Sequence, residues 1–335
     1  MSRELRVNGL PLSGIAAWGA LEWETRLPGG LWSVSWEMDL PVGFFHPALV
    51  TGATVELYDA GWRIGGATLA EPDLAEGAFT ADGHCRLAET VSCLDGSGNR
   101  STVPDTAVDA AIARGALPGW SRTVSFGAST LTDDTTATEP AYLSTLLDGW
   151  SDTLGQQWAL DHLGDLVLLD DPATPDWHLT PSGQEVGLTD EDYYTLLHGR
   201  YINTSGTYVT VSVGSPGREG TIDLTGLGRI TLARASAILG GQLAKSKGRV
   251  SFTGSVEVTP ETLQTAGGIS ADLTTVRAGQ RVRMHNPLDP SGLLDGATYF
   301  DWTIGQTAHA DGSGVATIAP VGLAPRDLTS VSAAS

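Results

Sequence analysis

Short segments of alternating apolar residues, separated by turns, run through most of this chain. The clearest lies in the first hundred residues, where Trp32, Val34, Trp36 and Met38 alternate with polar or charged residues. A period of two places such side chains on one face of a β-strand. The chain also has 42 glycines and 17 prolines and few long helical patterns. This combination predicts a mainly β fold made of many short strands and turns.

The order of patterns divides the chain into four parts. Residues 1–100 are expected to form an N-terminal β-barrel-like domain and residues 101–247 an α+β middle region. Residues 248–325 are expected to form a second β-barrel-like domain, and residues 326–335 a C-terminal tail. The middle region carries three segments with helical periodicity and helix-ending signals, namely Asp105–Arg114, Glu139–Leu154 and Arg229–Lys247.

Positive charge is concentrated between residues 229 and 283. This stretch has eight basic and three acidic residues, a net charge of +5, whereas the whole chain has −20. Such asymmetry typically marks a surface that meets an acidic partner. We therefore expect Arg277, Arg281 and Arg283 to lie at subunit or ring-to-ring interfaces, facing carboxylates of a neighbour. The alternative is that these arginines neutralise acids within their own domain.

The helix predicted over Arg229–Lys247 contains Gly240 and Gly241. Each glycine in a free helix costs about 1 kcal/mol relative to alanine. The expected helix face is built from small residues, with Ala233 and Ala237 beside Gly241. This pattern predicts that another backbone packs very close to the helix at Gly240 and Gly241.

Composition excludes several classes of protein. A net charge of −20 argues against tight nonspecific binding of nucleic acids, which requires cations that displace counterions. The first residues contain no apolar run typical of a signal peptide, and no run approaches the length of a transmembrane helix. Cys85 and Cys93 lie in one expected strand, Gly77–Cys93, too far apart to bridge. They are therefore expected to be free, buried thiols, as in a reducing cytoplasm.

The sequence carries no motif that indicates catalysis. Glycine-rich phosphate loops, serine elbows and zinc-protease patterns are absent. Seven scattered histidines predict no metal site, and no cofactor is expected. Paired carboxylates such as Asp170 and Asp171 could act as in a glycosidase, but solvated turns explain them better. Adjacent His84 and Cys85 should point to opposite faces of a strand, which argues against a nucleophile pair.

The order of the expected elements resembles the order found in one protein family. The opening Leu5–Gly9, the ladder Leu31–Met38 and the hairpin Val55–Gly65 are similar to the N-terminal barrel of tail hub proteins from long-tailed phages of actinobacteria. The segments Trp177–Pro181 and Arg277–Arg283, with the alanine-rich helix between them, resemble the remainder of that fold. No single motif is specific, and the order and spacing carry the resemblance.

The resemblance implies a structural protein of the virion, not an enzyme. Hub proteins of this kind form a trimeric ring in which two barrels per chain give pseudo-sixfold symmetry. Such a ring joins the sixfold tail tube to a threefold tail tip and lets DNA pass. The implied partners are the distal tail protein, the tape measure protein and other tail-tip proteins. The implied location is the tail tip, assembled in the host cytoplasm without membrane insertion.

Two other functions fit the patterns. A distal tail protein would form a true sixfold ring and usually has one barrel module with an appendage. A carbohydrate-binding β-protein could use some of the ten tryptophans as a platform, although Trp32 and Trp36 alternate as core residues do. For a tail hub, the acidic bulk of the chain further predicts a channel lined mainly by negative charge, through which DNA slides without binding.

Overall fold

The computed structural model describes residues 3–125, 142–154, 156–170, 173–180, 187–188, 194–246, 250–251, 255–289, 297–321 and 332–333. Buried apolar side chains form three clusters, one in each of three successive parts of the fold. Strands dominate and helices are few, so the predicted mainly β fold is confirmed. No helix among these residues is long and apolar enough to cross a membrane.

The first module is an antiparallel sheet that curls around its own core. Its strands run in the order β3-β4-β7-β6-β5-β1-β2. The core side chains come from Leu5 to Ala81 and alternate along most of the strands, as a sheet with one buried face requires. The seven strands are β1 (Arg3–Val7), β2 (Leu10–Pro11), β3 (Trp18–Arg26), β4 (Gly30–Met38), β5 (Thr54–Asp59), β6 (Trp62–Leu69) and β7 (Ala78–Gly83).

The apolar ladder of β4 is only partly as predicted. Val34, Trp36 and Met38 are buried, but Trp32 is half-buried and packs on the core of the middle region. The pairing of β3 with β4 shifts by one residue at this point, where Glu24 lies opposite Ser33 and Thr25 lies opposite Leu31. This β-bulge reverses the alternation. Leu31 therefore takes the core position that the pattern assigned to Trp32.

The segment after β7 corrects a second prediction. The expected strand Gly77–Cys93 ends at Gly83 and continues as a 3-10 helix over His84–Glu89. Cys85, Ala88 and Val91 are buried and recur every third residue, which is the period of a 3-10 helix and not of a strand. Cys85 and Cys93 are nevertheless both buried and free, as predicted. Burial raises the pKa of each thiol to about 12.

The middle region packs helices against two small sheets. The helices are α1 (Pro104–Ala113), α2 (Leu143–Leu154) and α3 (Leu232–Ser246). The second and third predicted helices correspond to α2 and α3, and α3 begins at Leu232, three residues after its predicted start at Arg229. The predicted start of the second helix, at Glu139, lies outside the described residues. The strands of this part of the chain are β8 (Ser121–Arg122), β9 (Gln157–Leu160), β10 (Asp165–Leu169), β11 (Trp177–Leu179), β12 (Gly187–Leu188), β13 (Leu196–Ile202), β14 (Tyr208–Gly214), β15 (Glu219–Asp223) and β16 (Val250–Ser251).

The second module takes one strand from the middle of the chain. Its strand order is β18-β11-β19-β20-β21-β17, and β11 pairs parallel to β19. The predicted strand over Arg249–Val258 is divided, since β16 pairs with β12 outside this module. The last six strands are β17 (Val256–Val258), β18 (Leu263–Thr265), β19 (Arg281–His285), β20 (Tyr299–Ala310), β21 (Ala316–Pro320) and β22 (Ser332–Ala333), of which β22 pairs with β15.

The two modules share part of their strand order. The first contains the path β1-β5-β6-β7-β4 and the second contains β11-β19-β20-β21-β17. In each path the first strand lies beside a strand from later in the chain, and that strand begins an antiparallel meander of three, β5-β6-β7 or β19-β20-β21. The last strand of each path, β4 or β17, comes from before the meander in the sequence. The paths differ in one direction, because β1 pairs antiparallel with β5 whereas β11 pairs parallel with β19.

Candidate functional site

Strand β20 joins the two modules into one sheet. Its first residues, from Tyr299 to Thr303, pair with β19 of the second module. Its last residues, from Gln306 to Ala310, pair with β3 of the first module. The opposite edge of β20 pairs with β21, with a register shift between Ile304 and Gln306. We call the contact of β3 with β20, together with the side chains around it, the junction.

Gly305 lies at the register shift, where backbones converge. A Cβ at this position would lie 2.7 Å from the Cα of Val321 and 2.8 Å from the carbonyl oxygen of Pro320. The carbonyl oxygen of Gly305 also accepts a hydrogen bond of 2.8 Å from the backbone N–H of Leu27. Backbone atoms cannot move aside as a flexible side chain can, so this crossing requires glycine.

Polar side chains tie the modules together at the other end of the β3–β20 pairing. Arg3 of the first module contacts the carboxylate of Asp311 at the end of β20, and its Nε lies 3.7 Å from Asp59. The hydroxyl of Thr274 in the second module donates a hydrogen bond of 2.6 Å to Asp59. Asp59 is 7% exposed, so its carboxylate depends on these partners for the interactions that water would otherwise supply.

His309 occupies the apolar side of the junction. Its ring stacks on Trp23 of β3, with 4.7 Å between the ring centres and 7° between the planes. The Nε2 atom lies 3.1 Å from the hydroxyl of Thr307, and the side chain is buried. Burial lowers the pKa of His309 to about 4, so the imidazole is neutral at pH 7.

An acidic cleft crosses the outer side of the junction. It has a volume of about 410 Å³ and spans strands of both modules. Glu24 lies opposite Ser33 on β4 and opposite Ala308 on β20, so these side chains form one row across the sheet. Its carboxylates and hydroxyls come from Glu22, Glu24, Glu257, Ser33, Ser35, Ser313 and Thr317. Arg26 makes an ion pair with Glu24 from beside the row, but no lysine or arginine lines the cleft itself, where Glu22 and Glu257 supply negative charge.

Two of the predicted interface arginines meet one carboxylate of their own chain. Arg283 donates hydrogen bonds of 2.7 and 2.9 Å to the two carboxylate oxygens of Asp301, the residue opposite it on β20. Arg281 lies 3.6 Å from the same carboxylate. Hydrogen bonding from Arg283 lowers the pKa of Asp301. The guanidinium of Arg283 also lies 4.1 Å from the ring centre of Tyr299.

Arg277 differs from these two arginines. It lies in the turn before β19 and makes no ion pair with the described residues. Its backbone N–H donates to the side chain of Gln280 at 2.7 Å, which fixes the turn. The structure therefore brings Arg281 and Arg283 together and leaves Arg277 apart. Arg281 and Arg283 contact a carboxylate of their own chain, as the alternative hypothesis expects. The assignment of all three arginines to a subunit interface stays a prediction.

A histidine pair extends the surface around Arg283. The Nδ1 atom of His178 on β11 lies 2.8 Å from the Nε2 atom of His285 on β19. Burial lowers the pKa of His285, and the neighbouring His178 and Arg283 lower it further. One of the two rings must supply a neutral nitrogen that accepts this hydrogen bond. Across the described residues, no three His, Cys, Asp or Glu side chains form a group that could hold a metal ion.

The helix predicted to pack closely at its glycines buries a different face. Ala235, Ile238, Leu239 and Leu243 of α3 are buried in the core of the middle region. Ala233 and Ala237, which the pattern placed on the packed face together with Gly241, are exposed. A Cβ at Gly240 would meet nothing within 4 Å. Within the described residues this chain supplies no close partner at Gly240, so close packing there by another chain stays a prediction.

Sequence reasoning missed the junction residues. Asp59 is expected in a hairpin connection, and Gly305 and His309 fall between the last two expected strands, Ala297–Ile304 and Gly314–Ile318. One signal was present: β20 is 12 residues long, whereas most strands here have two to nine. A strand of that length with an internal glycine is typical of one that changes partners along its length.

No protein-family model and no curated protein matches this chain. A 43 kDa tail protein of prophage MuSo2 from Shewanella oneidensis superposes on it with a TM-score of 0.60 at 14% identity, covering 98% of this chain and 100% of that one. A tail protein from Neisseria meningitidis MC58 gives 0.61 at 14% identity, covering 95% of each chain. A prophage tail protein from Listeria monocytogenes EGD-e gives 0.50 at 10% identity, covering 90% of this chain and 87% of that one. At these identities the likeness concerns the fold, and the chain shares the fold of these tail proteins along nearly its whole length.

Proposed function

We propose that this chain is a structural component of a phage tail, and within the tail a hub protein without enzymatic activity. Three copies form a ring in which each chain contributes two β-modules. The ring joins the sixfold tail tube, or the distal tail ring, to the threefold tail tip. The phage belongs to the long-tailed phages of actinobacteria, as the resemblance of the sequence implies.

One observation carries the proposal. The two modules share a five-strand path and are held in one continuous sheet by the junction. A threefold ring can present six similar surfaces to a sixfold tube only if each chain carries two similar modules at a fixed angle. The strand pairing, Gly305 and the Arg3–Asp59–Thr274 contacts supply that fixed angle.

The partners follow from this position. The ring contacts the distal tail protein above and tail-tip proteins below, with the tape measure protein ending in its channel. It is assembled in the host cytoplasm and stays at the tail tip of the virion. DNA contacts the ring only in passage.

The acidic cleft at the junction supports the channel role, and we assign it to the channel wall. DNA carries about one negative charge per 1.7 Å of its axis, so a wall with Glu22 and Glu257 repels it. The double variant Glu22→Lys/Glu257→Lys is expected to retain DNA in a salt-dependent manner, whereas the unaltered ring does not. A filter-binding assay at 50 and 200 mM salt measures this. Equal DNA retention by both rings contradicts the assignment of the cleft to the wall.

The test of the hub proposal is the oligomeric state of the purified chain. We expect a trimer by native mass spectrometry, and six lobes with threefold symmetry in averaged negative-stain images. A hexamer with true sixfold symmetry instead supports a distal tail protein. A monomer that binds glycans on an array supports a carbohydrate-binding protein and rejects the hub.

A further inference from the structure

Strand β14 forms an exposed edge of the sheet in the middle region. That sheet runs β14-β13-β15-β22, so the outer side of β14 pairs with no described strand. Seven residues from Tyr208 to Gly214 pair with β13 in an unbroken register. At about 3.4 Å per residue the edge is roughly 24 Å long. Every second residue directs its N–H and C=O outward, which offers about six to eight unpaired backbone groups.

The strand has none of the features that usually protect such an edge. Natural edge strands are short, carry charges or proline, contain bulges or are covered. The sequence Tyr-Val-Thr-Val-Ser-Val-Gly has no charge and no proline, and its pairing has no bulge. Tyr208, Thr210 and Ser212 are exposed, while Val209, Val211 and Val213 pack on the core beneath, and the strand lies against α3.

Other edges in the described part of the chain are protected. β2 has two residues and ends in Pro11, and β17 has three residues with Glu257 at its centre. β18 has three residues, and Gln264 bridges to Ser270. β9 has four residues, and Gly29 pairs with its outer side. The opposite edge of the β14 sheet is itself partly covered by β22 from the end of the chain. The contrast leaves β14 as the longest unprotected edge among the described strands.

We propose that β14 is a strand-addition site at which a second copy of this chain pairs along Tyr208–Gly214. This rests on the proposed ring. Copies with a net charge of −20 repel one another across most of their surfaces, so they associate best where the contact is neutral. The edge strand itself carries no charge and offers backbone hydrogen bonds, and the guanidinium of Arg200 lies over the ring of Tyr208, where it can only attract an acidic copy. In a closed threefold ring the added strand comes from a different part of the neighbour, because β14 paired with itself gives a twofold dimer.

The test compares lysine substitutions at two exposed threonines. Thr210→Lys places a charge on the open edge, and Thr80→Lys places the same charge on β7, which has neighbours on both sides. We expect Thr210→Lys to raise the dissociation constant of the trimer at least tenfold, measured by light scattering over a dilution series. Thr80→Lys is expected to leave it within twofold of the unaltered chain. Circular dichroism verifies that both variants fold.

Hydrogen exchange supplies a second measurement on the unaltered protein. Amides of residues 208–214 are expected to exchange more slowly as rising concentration shifts monomer to trimer, while amides of β7 do not change. If the unaltered chain is a trimer and Thr210→Lys is equally trimeric with no concentration-dependent protection of β14, the strand-addition site is wrong and the hub proposal stands. If the unaltered chain is a monomer at all concentrations, both are wrong.

Discussion

The two β-modules reach similar strand orders by different routes. The first draws its strands and core from one continuous stretch that ends near Gly83. The second needs β11 from the middle of the chain, and its central strand β20 is shared with the first module. Contacts between residues distant in sequence cost more chain entropy before they give stability. The first module is therefore suited to fold on local information, whereas the second depends on the junction.

This difference has a consequence for assembly. A module whose central strand extends into its neighbour cannot rotate independently of it, so the angle between the modules is set within the monomer. The second module gains rigidity from this arrangement and loses independence. Changes at the junction should thus act on the second module first and on the first module less.

The largest effect is expected from Gly305→Ala. The new methyl group meets the backbone of Val321 and Pro320, which cannot relax without moving β21. Overpacking of this kind costs about 2–3 kcal/mol of unfolding free energy. Urea unfolding should show the second module melting at lower denaturant than the first. Gly267→Ala is the matched control, because a Cβ there meets only the hydroxyl of Thr265 at 3.8 Å. If Gly305→Ala lowers the unfolding free energy no more than Gly267→Ala does, Gly305 is not required at the register shift.

His309 gives an effect that reaches a similar size only at low pH, as a dependence of stability on pH. Its pKa is about 4 in the folded protein and about 6.5 when unfolded, so the unfolded chain binds the extra proton between these values. Stability is therefore complete above pH 6.5 and falls as pH drops towards 4, by about 3 kcal/mol at most. His309→Gln should flatten this part of the profile. An NMR titration in which the His309 ring protonates near pH 6.5 contradicts the prediction.

Buried His84 has a pKa lowered by burial and must be separated from His309. It lies between the first module and the middle region, where its backbone carbonyl accepts from the indole of Trp120 at 3.0 Å. His84→Gln should also reduce the acid sensitivity of the protein. It should not change the order in which the modules melt, whereas His309→Gln should bring their acid transitions closer together.

The fold was largely predictable because it depends on local patterns. Alternation marked β4 and β19, and helical spacing marked α1 with Val108 and Ala111 buried. The bulge that turns Trp32 away from the core was not predictable, because it depends on how β3 meets β4. The buried face of α3 was assigned to the wrong residues, since Ala233 and Ala235 fit the helical period equally well and only the partner sheet distinguishes them.

The candidate site was less predictable, because its contacts join strands that are distant in the sequence. Charge counting found Arg281 and Arg283 but could not find Asp301, which lies 18 residues further along and opposite Arg283 only once β19 and β20 pair. The junction joins Arg3 to Asp311 across nearly the whole chain. Contacts of such separation leave no periodic trace in a single sequence.

Reversing charges on β19 separates the two hypotheses for its arginines. Arg283→Glu alone places two carboxylates together and should lower the unfolding free energy by about 1 kcal/mol, as expected for a partly exposed pair. Arg283→Glu with Asp301→Arg restores an ion pair within the chain and should recover that loss. If Arg283 faces a neighbour's carboxylate, the trimer of the double variant still dissociates more readily at low salt than the trimer of the unaltered chain does.

Arg277→Glu complements this experiment, because the residue makes no ion pair with described residues of its own chain. Reversing the charge of Arg277 should change the unfolding free energy of the monomer by no more than about 0.5 kcal/mol, as surface changes usually do. Any weakening of the trimer then reports on the interface alone. Trimers of unchanged mass for both Arg277→Glu and the swapped pair mean that the arginines act only within their own module.

The smallest expected effect belongs to Gly240→Ala. A Cβ at this position meets nothing within 4 Å, so alanine should raise the helix propensity of α3 and stabilise the monomer by about 0.5–1 kcal/mol. In the assembled ring the sign should reverse if another chain packs against the glycines, because the methyl group then separates two backbones. Thermal unfolding of dilute monomer and light scattering of concentrated protein measure the two effects separately. A variant that is both more stable and normally trimeric shows that no chain approaches α3 at Gly240.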